Sequence, residues 1–383
     1  MANATQSVLG ALNKAVSNTA GSQAYNTKYA TYLKLFSGEL FKAYESATIA
    51  RDTVQRRTLK NGKSLQFIFT GRMQAAYHTP GEPILGSGDP PVAEKTIQCD
   101  DLLISSAFVY DLDETLAHYS LRSDISSKIG YALAEKDDRK IFQAITKASR
   151  QASPITKTNY VEPGGTQVRV GTTTNGSDAY SATALINAFY DAAAALDEKG
   201  CSTEGRVGVL NPRQYYELIQ QVGDNGLVNR DEQGTSRQKG NGIVEIAGIK
   251  IFKSMNIPFF GRYGTKFGTG SATNPGVTDP GRKGDFVEVE MVDETAGTGA
   301  VKTVNNYGNG TSNFENSCGL IFQKEAAGVV EAIGPQVQVT SGDVSVIYQG
   351  DVILGRLAMG ADSLNPAAAV ELYAGTATAP AAF

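Results

Sequence analysis

Tryptophan is absent from the chain, histidine occurs twice and cysteine three times. Each scarcity removes a class of chemistry. His78 and His118 have no cysteine or carboxylate beside them at ligand spacing, which argues against a metal centre. Cys99, Cys201 and Cys318 lie far apart and form no C-x-x-C pair, so neither a disulfide framework nor a thiolate site is indicated. Reduced thiols, as in a cytoplasm, are expected. Positive charge is never concentrated: no basic run is longer than Arg56-Arg57, and the net charge is −4 with a pI near 5.5. A protein whose main task is gripping nucleic acid clusters its lysines and arginines, so that class is disfavoured. The start, Met1-Ala-Asn-Ala-Thr-Gln, lacks the basic end and apolar core of a signal peptide. No apolar run reaches the roughly 18 residues of a membrane span. Neither G-x-x-x-x-G-K-[ST] nor G-x-S-x-G occurs, which leaves no nucleotide cradle and no nucleophile elbow.

What the chain does contain is enough to fold. Its 383 residues are 41% hydrophobic and 19% charged, a balance that supports two or three packed units. Glycine is abundant at 41 residues and predicts many bends on an ordered scaffold. Residues 1 to about 24 are small and polar and have little to bury. From Tyr29 to Tyr44 the apolar residues Tyr32, Leu33, Phe36, Leu40 and Phe41 recur at helical spacing, giving a short amphipathic helix that needs a partner.

Between Gly62 and Ile104 the pattern is extended. Leu65, Phe67 and Phe69 alternate with other residues, turn signals follow at 80 to 83 and 89 to 91, and a return strand is read from Ile97 to Ile104. This predicts a long two-stranded protrusion. Two strands alone have no cover for their faces, so the hairpin is expected to lie against another molecule.

The longest helical signal runs from Asp111 to about Ser149, with Leu121, Ile125, Ile129, Leu133, Ile141 and Ile145 at steps of four or a multiple of four. Such a helix would be about 50 Å long. A second helix is signalled by Ser181 as N-cap, the stripe Leu185, Phe189, Ala192 and Leu196, and Gly200 at the C-cap. A buried strand from Arg206 to Leu210 feeds Asn211-Pro212 and a short helix through Tyr215, Leu218 and Ile219. Further strands are read at 243–252, 285–292, 320–323 and 337–354. The expected class is α+β.

Candidate chemistry is thin. Asp111, Asp113 and Glu114 form the nearest thing to a carboxylate cluster, and helix capping accounts for acids at a helix start; a hydrolase using them is the enzymatic alternative. Asp137-Asp138, beside Lys136, Arg139 and Lys140, read as a solvated face or an intersubunit pairing surface. No catalytic, cofactor or metal residue is assigned.

The order of arm, projecting hairpin, long helix and later α+β unit resembles the Hong Kong 97-type major capsid fold. More specifically, Gly62-Lys-Ser-Leu-Gln-Phe, Gly71-Arg-Met-Gln-Ala-Ala-Tyr and Thr79-Pro-Gly-Glu82 resemble the extended loop of major capsid proteins of short-tailed podoviruses of the autographivirus type. Tyr110-Asp-Leu-Asp-Glu, His118-Tyr-Ser-Leu-Arg-Ser123, Gly319-Leu-Ile-Phe and Leu364-Asn-Pro-Ala-Ala-Ala369 extend the likeness from about residue 29 to 372. The stretch 261–318 departs from it.

The resemblance implies an N-terminal arm (1–60), an extended loop (61–105), a peripheral domain with a spine helix (106–180), an axial domain (181–333) and returning C-terminal strands (334–383). It implies a non-catalytic shell subunit that forms pentamers and hexamers, with a scaffolding protein during assembly, a portal at one vertex and double-stranded DNA enclosed without sequence-specific binding. The virion is the implied location, with assembly in the host cytoplasm. An encapsulin-like nanocompartment is the alternative with the same fold. On this reading Phe67, Phe69, Arg72, Tyr77, Pro80 and Glu82 of the extended loop touch a neighbouring subunit, and no motif selects a lysine–asparagine cross-link.

Overall fold

A computed structural model describes residues 49–71, 73, 75, 77–83, 91–99, 102–112, 121–157, 160–172, 177–220, 245–254, 256–257, 317–339, 349–374 and 377–380. The expected arm helix at 29–44, the strand at 285–292, and Asp113, Glu114 and His118 lie outside them. The chain divides into two compact units.

The first unit takes residues 101–134 and 333–358. Leu103–Tyr110 (β4) pairs antiparallel with the first part of Gly350–Ser363 (β13), from Tyr110 opposite Gly350 to Leu103 opposite Leu357. Against one face of this pair lies the start of the long helix Leu121–Arg150 (α2). Ile129 and Leu133 are buried with Val109 and Ile353, and Ile125, Ala107 and Leu103 pack beside them. The contact is close because residue 355 is glycine: a Cβ there would stand 2.3 Å from Ile129 Cγ2 and 2.9 Å from Leu133 Cδ1. The helix was expected from Asp111; Asp111 and Leu112 are helical, and the continuous helix begins at Leu121.

The second unit holds residues 46–100, 135–332 and 359–383. It starts with the short helix Ala50–Thr53 (α1) and the strand Gln55–Thr58 (β1), which pairs in parallel with the beginning of Ala327–Val339 (β12). The centre is a six-stranded sheet in the order β7-β14-β11-β8-β10-β9. Those strands are Thr166–Arg169 (β7), Val207–Leu210 (β8), Glu245–Ile246 (β9), Ile249–Lys253 (β10), Ser317–Phe322 (β11) and Ala369–Tyr373 (β14). Thr156–Lys157 (β5) and Tyr160–Val161 (β6) form a small antiparallel pair. The sheet therefore draws β7 and β14 from outside the 181–333 span that the sequence outlined.

Ala182–Glu198 (α3) and Pro212–Gln220 (α4) contribute to the core of this unit. Leu185, Phe189, Ala192 and Leu196 are fully buried, as the stripe requires. The helix ends in a Schellman motif at Gly200, φ 68°, where Cys201 N–H donates to Leu196 O and Gly200 N–H to Asp197 O. Ser181 stands at the N-cap, yet its side chain makes no capping bond. At the start of α4 the Asn211 N–H donates to Gln214 Oε1 at 3.3 Å, half of a capping box.

Two strand readings need correction. The run 337–354 is the end of β12 and the start of β13, with most of each strand lying beyond it. The extended run Ile97–Ile104 is also split: β3 stops at Gln98 and β4 begins at Leu103.

Candidate functional site

Ser64–Thr70 (β2) and Val92–Gln98 (β3) form the predicted hairpin, in a register that sets Leu65 opposite Ile97, Phe67 opposite Lys95 and Phe69 opposite Ala93. Successive side chains alternate faces, so these three pairs share one side. That side is covered by the subunit itself. Phe67 and Ile97 are buried with Val330 and Leu364, and Leu59, Leu65 and Phe69 pack against them. Close approach is again built on glycine: a Cβ at 328 would meet Ile97 Cδ1 at 2.8 Å, and one at 360 would meet the Gln98 carbonyl oxygen at 1.9 Å. The Arg57 guanidinium lies 4.9 Å from the Phe67 ring centre. Asp362 accepts ion pairs from Lys95 at 3.2 Å and Lys147 at 3.1 Å, and these two ammonium groups hold its carboxyl below the usual range against the opposing effect of burial.

The expectation that the hairpin covers neither face with its own chain therefore fails at the root. Phe67, 5% exposed, belongs to the subunit's core, and Phe69 packs on the same cluster. The opposite side is open. Ile68 is 73% and Val92 52% exposed, and Met73, just past β2, is 58% exposed. These three were missed from sequence, although strand parity carries the signal: once Phe67 points inward, Ile68 points outward.

Beyond the ladder, Gly71 N–H donates to Pro91 O at 2.8 Å and closes the paired part. Further out, Glu82 N–H donates to Thr79 O at 3.2 Å, and Gly81 has φ 99°. Proline followed by a residue at positive φ is the arrangement of a type II turn. Tyr77 is fully exposed, and Pro80 and Glu82 are exposed with it. Arg72 lies outside the described residues. The structure thus brings Tyr77, Pro80 and Glu82 together on one projecting segment and separates them from Phe67 and Phe69.

The second half of α2 departs most from expectation. Asp137, Asp138, Arg139 and Lys140 are buried, so this is no solvated face. Arg56 lies 3.7 Å from Asp137 and 2.9 Å from Glu331, while Arg51 reaches Glu331 at 3.4 Å. Asp138 accepts from the N–H groups of Ile49 and Ala50 and from Asn256 Nδ2. Burial pushes both carboxyls up to about 6. The signal was in the spacing: the four-residue step from Leu133 to Ile141 passes through 137, an apolar position occupied by an acid.

At the end of the helix, Arg150 Nε and Nη2 meet Glu371 Oε2 and Oε1 at 2.8 and 2.6 Å, with both side chains fully buried. His78 is exposed in the projecting segment. Among the described residues no group of three or more His, Cys, Asp and Glu is placed to hold a metal ion.

The sequence profile of the Gp10A-like family, described as major capsid protein, matches residues 67–304. The chain is 26% identical to the major capsid protein of Escherichia phage T7 over 359 residues, covering 91% of this chain and 93% of that protein. It is 33% identical to the major capsid protein of Enterobacteria phage T3 over 122 residues, 32% of this chain and 35% of that protein. Its structure resembles the capsid of Cyanophage P-SCSP1u with a TM-score of 0.68 at 30% identity, covering 90% of this chain and 94% of that one. The mature capsid of bacteriophage PhiM1 has the same fold at 15% identity, with a TM-score of 0.60 and coverage of 89% and 91%.

Proposed function

The chain belongs to the Gp10A-like major capsid protein family, and on that premise we propose that it closes an icosahedral shell by laying the projecting segment around Tyr77 on a neighbouring copy. It is a phage major capsid protein, a structural subunit, and the comparisons do not favour an encapsulin. The finer reading assigns residues 1–60 to an arm, 61–105 to the extended loop, 106–180 to a peripheral domain whose spine is α2, 181–333 to an axial domain and 334–383 to the returning strands. Copies form pentamers and hexamers around double-stranded DNA, with scaffolding and portal partners during assembly in the host cytoplasm. No step in this role calls for catalysis.

The observation that carries the reading is the contrast along one hairpin. Its inner face is sealed by Val330 and Leu364, whereas Ile68, Met73, Tyr77 and Val92 stand exposed. Exposed apolar groups gathered on a projection mark a contact with another molecule. In a symmetric shell the same modest contact recurs at every subunit.

Tyr77→Ala with Met73→Ser tests this directly. The variant chain should unfold at the wild-type temperature, because neither side chain is buried, and electron microscopy should show few closed shells. Normal shells in normal yield would overturn the assignment of this segment.

A further inference from the structure

The carboxylate of Asp138 holds the point where residues 1–48 join the subunit. Ile49 N–H donates to its Oδ2 at 3.1 Å and Ala50 N–H to its Oδ1 at 3.2 Å, and Asn256 Nδ2 adds a third bond at 3.3 Å. Both Asp138 and Ala50 are 0% exposed. All three donors are uncharged. The charged groups nearby are Asp137 on the same helix, Arg51 and Arg56 from the α1–β1 segment and Glu331 from β12; the two arginines pair with Glu331 and Asp137.

We propose that Asp138 is the anchor of the N-terminal segment and that the anchor tightens on protonation, so that the segment's root is held more firmly in acid than at neutral pH. An ionised carboxylate sealed from water and met by neutral donors carries an uncompensated desolvation cost. Protonation removes that cost while the segment stays docked. Pulling the root away removes it differently, by letting water reach the ion. A neutral carboxyl retains two oxygens that accept from both amides.

The direction follows by linkage. Burial raises the docked carboxyl from 3.8 to about 6, so the docked form binds the proton more tightly than a water-exposed one. Docking therefore gains as pH falls through about 6 and stops gaining below 3.8. For a single group with those two values, docking is about tenfold more favourable at pH 5 than at pH 7. An acid-triggered release of the segment would have the opposite sign.

Hydrogen exchange of the full chain reads the proposal at the donors themselves. Protection factors for Ile49 and Ala50, referred to intrinsic rates at each pH and to strand β8 as an internal standard, should rise about tenfold from pH 7 to pH 5. Asp138→Asn should abolish the rise. A flat or falling wild-type profile overturns the proposal, and so does a rise that survives in Asp138→Asn. If Asp138→Asn also exposes β8, the variant Asn256→Ala decides. It removes a donor that favours the ionised form, so the midpoint must move to higher pH; an unmoved midpoint overturns the assignment to Asp138.

Discussion

Replacing Glu371 by glutamine should destabilise the subunit far more than any surface change, and replacing Arg150 with it should restore much of the loss. Arg150 closes α2, Glu371 lies in the middle of β14, and the two side chains meet in two bonds of 2.8 and 2.6 Å with 0% exposure on both. Gln167 Nε2 completes the carboxylate at 2.9 Å. Glu371→Gln leaves a guanidinium buried without a counter-charge, a change that costs about 3–5 kcal/mol. Arg150→Met with Glu371→Leu removes both ions and both desolvation penalties, so its cost should be about 2 kcal/mol or less. The other Gln167 hydrogen still donates to Pro380 O at 3.1 Å. The two single changes and the double change form a thermodynamic cycle with a coupling of several kcal/mol. Urea unfolding of the full chain gives each value; with no tryptophan present, far-UV circular dichroism and tyrosine emission are the probes. A loss below about 1 kcal/mol for Glu371→Gln, or a double change as costly as the sum of the singles, would refute the reasoning.

Gly355→Val places carbon 2.3 Å from Ile129 Cγ2 and should lower stability by about 1–3 kcal/mol, read as a fall in the thermal midpoint; no fall would mean that α2 does not pack on β13 as described. Asp362→Asn removes the charge shared by Lys95 and Lys147, so hydrogen exchange across β3 should quicken at pH 7 while strand β8 is unchanged. Because the carboxyl of Asp362 is held low in the folded state, its contribution is complete above about pH 4 and fades as the pH falls further, and the wild-type rate should approach the variant's only in strong acid. In the native chain a disulfide reagent at pH 8 should react with half-buried Cys201 before Cys99, and with Cys318 only after unfolding, because burial and the neighbouring Glu371 push the Cys318 thiol well above its ordinary value.

Legibility of the fold depended on how many neighbours a segment consults. Helix α3 answers to its own sequence: the stripe from Leu185 to Leu196 and Gly200 at positive φ are local signals, and both appear where expected. Strand β12 does not. Its Gly328 and Gly334 read as breaks and its Pro335 as a turn, yet Gly328 admits Ile97 and Pro335 sits in the exposed part of the strand. Gly355 and Gly360 interrupt the pattern of β13 for the same reason, since each makes room for a partner remote in sequence. In the candidate contact, exposure of Tyr77, Pro80 and Glu82 followed from turn chemistry. The inward direction of Phe67 did not, because alternation fixes only that Phe67 and Ile68 oppose one another, and the cover supplied by Val330 and Leu364 fixes which one is buried.

The hairpin's division has a consequence for how a shell subunit can be assembled from such a chain. If the whole of 62–104 waited for a neighbour, the unassembled subunit would expose both faces of two strands, including Phe67 and Ile97, and copies would meet by unselective apolar contact. Here those rings are taken into the subunit first, Lys95 is tied by Asp362, and the backbone is closed at Gly71 and Pro91. What is left for the neighbour is a small set of groups beyond that closure and on the outer face, too few to hold two free copies together strongly. A contact of that size becomes decisive only when closed symmetry presents many of them together, which favours completed shells over stray pairs.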